Sequence, residues 1–255
     1  MMEIALTTLA SAGLGDSMAQ IKRLPVTADT NVGNWFDDEC AVGKDRDSNA
    51  GADDLLELLD NREFMMASYD ATSVAGWEIE KATLFLHQNL ANMSRGAPMR
   101  VCDISTLAVP FNEGASHKGG NISLSRGTRA DFNQAAAGES TWNWRSFPTG
   151  STAGRAEHYW AYNGSTFQDV TFSNGLTLSA YRHHDQVAVQ SNGWTAIDLP
   201  VDMVYALALG LHHGLVLSDS SQSSDLGGRK ANYTGFLDVF VSSREHDGGK
   251  YPLRN

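Results

Sequence analysis

The clearest indication of the fold is the sequence IEKATLFLH at positions 79–87. Side chains alternate between the two faces of a β-strand, and here a mostly aliphatic set alternates with a mixed polar and aromatic set. One face carries Glu80, Ala82, Leu84 and Leu86, and the other carries Ile79, Lys81, Thr83, Phe85 and His87. The pattern predicts a strand that becomes buried on both faces.

Short apolar runs on both sides of this segment predict further strands. Their positions are 24–28, 55–59, 64–69, 99–105, 166–170, 176–181, 193–199, 214–218 and 238–243. The runs at 55–59 and 64–69 flank a turn-like Asp-Asn pair, which predicts a hairpin. The run at 99–105 alternates in the same way as 79–87 and is predicted to be its neighbour.

One short helix is predicted at positions 201–209, where apolar residues recur at intervals of three and four. Pro200 suits the start of a helix, Asp202 lies near its positive end and Gly210 follows its last turn. Many short strands with a single helix place the chain in the all-β class. They predict a single β-sandwich.

The region at 112–165 is predicted to be a long irregular insertion, rich in Gly, Ser, Asn and aromatic residues. Loops of this length are uncommon in compact domains and are usually functional. Aromatic rings on exposed loops can stack on sugars. The candidate carbohydrate-binding residues are therefore Trp142, Trp144, Trp160 and Tyr162. Alternatively, Trp142 and Trp144 lie two positions apart on one strand face and belong to the core.

Composition and charge exclude several partners. The 255 residues include 19 basic and 30 acidic side chains, for a net charge of −11. Nucleic acids and anionic membranes require clustered positive charge, and no Lys/Arg run is present, so neither is a predicted partner. No apolar run approaches the ~20 residues that a membrane span requires. Two cysteines, Cys40 and Cys102, cannot form a disulfide framework or a thiolate metal site, and whether they pair stays open.

The N-terminal residues allow two interpretations. Residues 4–15 are apolar or small, and Ser17-Met18-Ala19 is similar to a signal-peptide cleavage site. However, Glu3 stands where a basic region is expected. Residues 1–23 are therefore predicted to be either a degenerate signal segment or a retained N-terminal arm, and residues 24–255 to form the sandwich domain.

The sequence contains no recognisable catalytic motif, so the chain is predicted not to be an enzyme. It lacks the zinc-protease, nucleophile-elbow, phosphate-loop and dinucleotide motifs. Abundant acidic residues keep a glycoside hydrolase or polysaccharide lyase as an alternative, because two suitably spaced carboxylates suffice for hydrolysis. The adjacent pairs His183-His184 and His212-His213 point to opposite faces of a strand and are predicted to be ordinary surface or edge histidines.

The loop DRDSNAG at 45–51 has oxygen ligands at alternate positions. Asp45, Asp47 and Asn49 are the candidate metal ligands, because carboxylate and amide oxygens suit Ca²⁺. The helix-loop-helix calcium site would require Gly and Glu where this chain has Ala50 and Leu56. A structural Ca²⁺ site and a solvated acidic loop are therefore the two alternatives.

The order of these elements resembles a known family. The segments that carry the resemblance are LPVTADT at 24–30, NAG at 49–51, IEKATLFL at 79–86, WNW at 142–144, GWTAIDL at 193–199, GLVL at 214–217 and SSRE at 242–245. Over residues 24–253 the chain resembles the DNRLRE-type jelly-roll domains, related to disaggregatase-like carbohydrate-binding modules. The family's last strand usually continues as an apolar run, whereas this chain has Leu253-Arg254-Asn255 after Pro252.

The resemblance implies a non-catalytic, secreted or cell-surface β-sandwich that binds polysaccharide. It also allows a second interpretation, in which the chain is a structural subunit of an extracellular filament, a surface layer or a virion. Such a subunit would self-assemble through strand or arm exchange, with the apolar arm of one copy added to a sheet edge of the next.

Overall fold

A computed structural model describes most of the chain. The described residues are 20–33, 45–59, 63–88, 101–107, 109–118, 133–150, 160, 182–186, 190–218, 223–227 and 235–245. They form eleven β-strands, one α-helix and two short 3-10 helices. In this part of the chain, no helix is long and apolar enough to cross a membrane.

The strands account for most of the regular structure. Their bounds are β1 Gln20–Leu24, β2 Val26–Gly33, β3 Leu55–Leu59, β4 Glu63–Tyr69, β5 Trp77–His87, β6 Val101–Thr106, β7 Arg182–Gln186, β8 Trp194–Leu199, β9 Leu215–Ser218, β10 Ser223–Gly227 and β11 Phe236–Glu245. The helix α1 spans Val201–Ala208, which confirms the helix predicted at 201–209.

The strands form two antiparallel sheets, so the predicted all-β sandwich is confirmed. The small sheet has four strands in the order β1-β11-β5-β8. The large sheet has seven, in the order β10-β3-β4-β9-β6-β7, with β2 also paired to β4. Strand β5, the segment 79–87 with two further residues at its start, is central in the small sheet, as predicted.

The main core lies between the two sheets. Strand β8 shows how the sequence builds it, because Thr195, Ile197 and Leu199 are buried while Ala196 and Asp198 are exposed. Other strands contribute in the same alternating way. The core combines Leu84, Leu86, Val239 and Val241 of the small sheet with Leu56, Met65, Ile104 and Leu217 of the large sheet. Burial of this apolar area is the main stabilising term of the sandwich.

The outer face of the large sheet is also buried. In β4, Met65 and Ala67 face the main core, whereas Phe64 and Met66 belong to a second cluster. That cluster is completed by Val32, Leu107, Trp142, Trp160 and Val216. A strand buried on both faces is expected to be continuously apolar, which explains the run Phe64-Met-Met-Ala67.

Two features of strand pairing differ from the sequence prediction. The predicted hairpin of β3 and β4 is limited to a single residue pair, Leu59 with Glu63, because β3 pairs along its length with β10. Strand β6 is not the neighbour of β5; it lies in the other sheet, between β9 and β7. Strands β7 and β10 had no clear signal, and the strands predicted at 166–170 and 176–181 lie outside the described residues.

The first described strand begins before the predicted start of the domain. Residues Gln20 to Leu24 pair with Val241 to Leu237 of β11, so residues 20–23 are part of the small sheet. Residues 1–19 of the predicted arm or signal segment lie outside the described part of the chain.

Candidate functional site

Two of the four predicted carbohydrate-binding residues are buried. Trp142 and Trp160 each expose 2% of their surface. The Trp142 ring stacks on Phe64 with 5.4 Å between ring centroids, and the indole Nε1 of Trp160 donates to the Thr141 carbonyl at 3.1 Å. Neither ring presents a face to solvent in this arrangement, so both act as core residues beneath the insertion.

The other two predicted aromatic residues differ in position. Trp144 is half-buried, and its Nε1 donates to Asp47 Oδ1 at 3.1 Å. Tyr162 lies outside the described residues. The described residues of the insertion, 112–118 and 133–150 with Trp160, contain no β-strand or α-helix, as predicted for an irregular region.

The predicted metal ligands Asp47 and Asn49 already accept hydrogen bonds. Asp47 Oδ1 accepts from Asn143 Nδ2 at 3.1 Å, in addition to Trp144. Asn49 Oδ1 accepts from the Gly51 amide at 2.8 Å, and Asn49 Nδ2 donates to the Ser140 carbonyl at 2.8 Å. The side chain of Asp45 is outside the described set, in which no cluster of three His, Cys, Asp or Glu residues suited to a metal occurs. The calcium site stays a prediction.

The carboxylate of Glu139 organises the loops around this segment. It accepts hydrogen bonds from the backbone amides of Ala115 at 2.6 Å, Ser116 at 3.0 Å and Ala136 at 2.8 Å. Burial raises the pKa of Glu139, but hydrogen bonds from the Ser116 side chain and from these amides lower it more, so its pKa lies below the ordinary value. Gly114, with φ of +78°, lies so close that a Cβ would approach the Glu139 carboxylate to 2.7 Å. Only glycine fits there.

A buried ion pair joins the insertion to the large sheet. Lys118 Nζ lies 2.6 Å from Glu63 Oε1, and the two side chains are 5% and 3% exposed. The backbone amide of Lys118 donates to Asp53 Oδ2 at 2.9 Å, and Asp53 Oδ1 lies 2.7 Å from His117 Nδ1. These contacts hold the loop of residues 109–118 against the start of β4 and the segment before β3.

Of the paired histidines whose burial the structure describes, His212 is buried, contrary to the prediction that these residues lie at surfaces or edges. His212 is 2% exposed in the turn between α1 and β9. Its Nε2 lies 2.7 Å from the Met203 carbonyl, and its Nδ1 accepts from the Gly214 amide at 3.2 Å. Both contacts fit the neutral ring with its proton on Nε2, and burial lowers the pKa of His212 below its ordinary value of 6.5.

We expect the chain to lose stability in mild acid because of His212. The unfolded chain binds a proton at this ring near pH 6.5, whereas the folded chain binds it only at lower pH. The contribution of neutral, buried His212 to the free energy of unfolding is therefore complete above pH 6.5 and decreases as the pH falls toward the pKa of His212 in the folded chain. Urea unfolding between about pH 8 and about pH 5 measures it.

The variant His212→Gln is expected to flatten this pH dependence. His213, whose pKa is also lowered by burial, contributes in the same direction, and His213→Gln measures its share. An unfolding free energy of His212→Gln that falls with acid as steeply as that of the unmodified chain would contradict the assignment.

The outward side of the small sheet carries half-buried aromatic rings of β5, β8 and β11. Four that lie together are called the aromatic face: Phe85, His87, Trp194 and Phe236. Phe240 lies farther along β11 on the same side, opposite Lys81. Phe85 and Phe236 stack with 4.8 Å between centroids. Trp194 lies 5.5 Å from Phe236 at 52° and 5.0 Å from His87 at 70°. Among the described residues, no parallel ring covers the indole of Trp194.

The turn before β8 holds Trp194 in place. Gly193 has φ of +86°, and a Cβ there would lie 2.5 Å from the Gln88 carbonyl oxygen and 2.8 Å from His87 Nε2. The Gly193 carbonyl accepts from the Gln88 amide at 2.8 Å, and Asn192 Oδ1 accepts from the Trp194 amide at 3.2 Å. Glycine is therefore required for the close approach that brings the indole onto its neighbours.

Charged groups flank the rings of the aromatic face. The Arg23 guanidinium lies 3.6 Å from the Phe236 ring centroid, and its Nε and Nη2 donate to the two carboxylate oxygens of Asp238 at 2.7 and 2.9 Å. Lys81 Nζ lies 3.0 Å from Asp198 Oδ2, and Thr83 Oγ1 donates to Asp198 Oδ1 at 2.8 Å. Each cation thus has a carboxylate partner on the same face.

The sequence contained only part of the signal for this face. Ile79 was predicted on this face as well, but it is buried in the main core, because the pairing of β5 with β11 shifts register between Lys81 and Ile79. The alternation at 79–87 placed Lys81, Thr83, Phe85 and His87 together, as the structure has them. It did not indicate that Trp194 and Phe236 join them, because those residues come from β8 and β11, which flank β5 only through the strand order of the sheet.

No protein-family model matches this chain, and none of the curated proteins compared with it is similar to it. The resemblance to DNRLRE-type domains therefore stays a prediction, and the fold and the aromatic face are the observations on which a function can be based.

Proposed function

We propose that the chain is a non-catalytic, secreted or cell-surface β-sandwich module that binds polysaccharide through the aromatic face. The observation that carries the proposal is the half-buried indole of Trp194, which contacts His87 and Phe236 and is flanked by hydrogen-bonding side chains. Carbohydrates combine apolar C–H surfaces with hydroxyl groups, and a site with rings beside polar groups matches both.

The rigidity of this face favours binding. Tryptophan provides a large contact area with only two side-chain dihedrals, so little conformational entropy is lost when a ligand binds. The bidentate pair of Arg23 with Asp238 and the contacts of Asp198 with Lys81 and Thr83 hold the polar groups in position before binding. Preorganisation of this kind increases affinity by reducing its entropic cost.

The absence of a recognisable catalytic motif in the sequence supports binding without turnover. Measurable depolymerisation of a polysaccharide by the purified chain would overturn this part of the proposal. It would favour the glycoside hydrolase or lyase alternative.

We expect Trp194→Ala to weaken polysaccharide binding about tenfold or more, because a central aromatic contact commonly contributes at least that much. Trp194 is half-buried and belongs to neither core cluster, so the sandwich is expected to remain folded. Affinity electrophoresis measures binding, and circular dichroism checks the fold. Leu211→Ala is the control, since Leu211 is 41% exposed in the turn after α1. Unchanged binding by Trp194→Ala would contradict the site.

A second candidate function is that of a structural subunit. It is favoured by Ile21, which is 55% exposed on β1, a strand that pairs only with β11 among the described strands. Edge strands with exposed apolar side chains are sites of strand addition. If the chain assembles, deletion of residues 1–19 is expected to convert the oligomer to a monomer by light scattering. A monomer both with and without these residues would exclude arm-mediated assembly.

A further inference from the structure

We infer that the aromatic face selects a neutral polysaccharide and discriminates against polyuronates and other anionic glycans. This inference rests on the proposed function, because it names the ligand class of the same surface. It is carried by the charge pairing on that face and by the net charge of the chain.

The cations of the face are already neutralised. Two of the Arg23 donors are used by Asp238, whose side chain is only 11% exposed. An anionic sugar that took Arg23 would leave this carboxylate without its hydrogen-bond donors, which is costly for a group so far removed from water. Lys81 is 3.0 Å from Asp198, which also accepts a hydrogen bond from Thr83. The carboxylate of an anionic sugar that bound Lys81 would therefore lie next to the negative charge of Asp198.

The net charge of the chain also disfavours the binding of anionic glycans. At a net charge of −11, the protein repels polyanions over distances limited by salt screening. Two attractive contributions to binding remain. Sugar rings can stack on the aromatic rings, and sugar hydroxyl groups can form hydrogen bonds with the paired charged side chains. Neither depends strongly on ionic strength, so binding to the correct ligand is expected to be insensitive to salt.

Affinity electrophoresis in native gels tests the ligand class directly. The gels contain mixed-linkage β-glucan or galactomannan as neutral polymers, and alginate or polygalacturonate as anionic polymers, each at low and high salt. We expect retardation by a neutral polymer at both salt concentrations, with its loss in Trp194→Ala, and no retardation by the polyuronates. Stronger retardation by a polyuronate would overturn this inference while leaving the proposed function intact. No retardation by any polymer would count against the proposed function itself.

A matched pair of double variants tests the physical cause. Asp198→Asn with Asp238→Asn removes both carboxylates that neutralise the cations of the face. We expect this variant to gain retardation by alginate, at least several-fold at low salt and lost at high salt. The control is Asp54→Asn with Asp202→Asn, two exposed acids outside the small sheet, which raises the net charge by the same two units. If both double variants gained the same retardation by alginate, net charge alone would explain the discrimination against anionic glycans. That result would overturn the proposed role of the Arg23–Asp238 and Lys81–Asp198 pairs.

Discussion

Removing one partner of the buried Glu63–Lys118 pair is expected to destabilise the protein by about 3–5 kcal/mol. The two side chains are 3% and 5% exposed and their charged atoms are 2.6 Å apart. Either Glu63→Gln or Lys118→Met removes one charge of this ion pair while the opposite charge stays buried, where solvent cannot compensate it. Urea unfolding of both single variants measures the loss.

The double variant Glu63→Leu with Lys118→Met is the informative comparison. It replaces the pair by apolar groups, and such replacements are often neutral or stabilising. We therefore expect the double variant to be more stable than either single variant. Lys81→Met is the exposed control, because the Lys81–Asp198 pair is 51% and 63% exposed and such pairs contribute about 0–1 kcal/mol. A loss in the single variants as small as that of Lys81→Met would show that the buried pair contributes little.

The Glu63–Lys118 pair also explains how the described residues of the insertion, which contain no β-strand or α-helix, keep a defined position. Lys118 connects the loop of residues 109–118 to β4, while Glu139 fixes the same loop through backbone amides. Both groups lie far in sequence from the atoms that they bind. Weakening either one is expected to loosen the layer that covers Trp142 and Trp160.

Trp142→Ala is expected to destabilise the protein by about 3–5 kcal/mol, the range for removal of a large buried aromatic side chain. The indole is 2% exposed and stacks on Phe64, so its removal leaves a cavity between the large sheet and the insertion. The expected phenotype is opposite to that of Trp194→Ala: stability falls, while the folded fraction binds polysaccharide as before. Chemical unfolding and affinity electrophoresis on the same samples separate the two effects.

Trp144→Ala is a suitable control for Trp142→Ala. Trp144 is half-buried rather than buried, and its Nε1 donates a hydrogen bond to Asp47, so we expect a smaller loss than that of Trp142→Ala. If Trp142→Ala instead kept full stability and lost binding, the carbohydrate site would return to the insertion, where the sequence first predicted it.

The strands that could be predicted are those with strong local patterns. Strand β8 alternates strictly and β5 carries the clearest periodicity, and both lie where the sequence predicts them. The neighbour predicted for β5 was wrong, because β6 has the same alternation yet pairs in the other sheet. Alternation shows that a segment is a strand with one apolar face, and many partners satisfy that requirement equally well.

The predicted site residues show the same limit. Trp142 and Trp160 were chosen because they lie in a polar, irregular region, which usually means solvent exposure. The structure buries them because the outer face of the large sheet presents Phe64, Met66 and Val216, and the insertion folds over that face. Which loop covers a sheet depends on contacts between distant segments, and these leave no periodicity in the loop itself.

The local sequence specifies which side chains of one strand share a face, because the backbone of an extended chain alternates with a period of two. It therefore places Phe85 and His87 together, and it places Thr195, Ile197 and Leu199 together. Which face meets solvent, and which strands are adjacent, depends on the strand order β1-β11-β5-β8. That order assembles the aromatic face from three separate strands. The fold likewise brings Lys118 to Glu63, which is 55 positions away in the sequence. Both arrangements depend on segments that bury one another's side chains, and no local sequence pattern connects those segments.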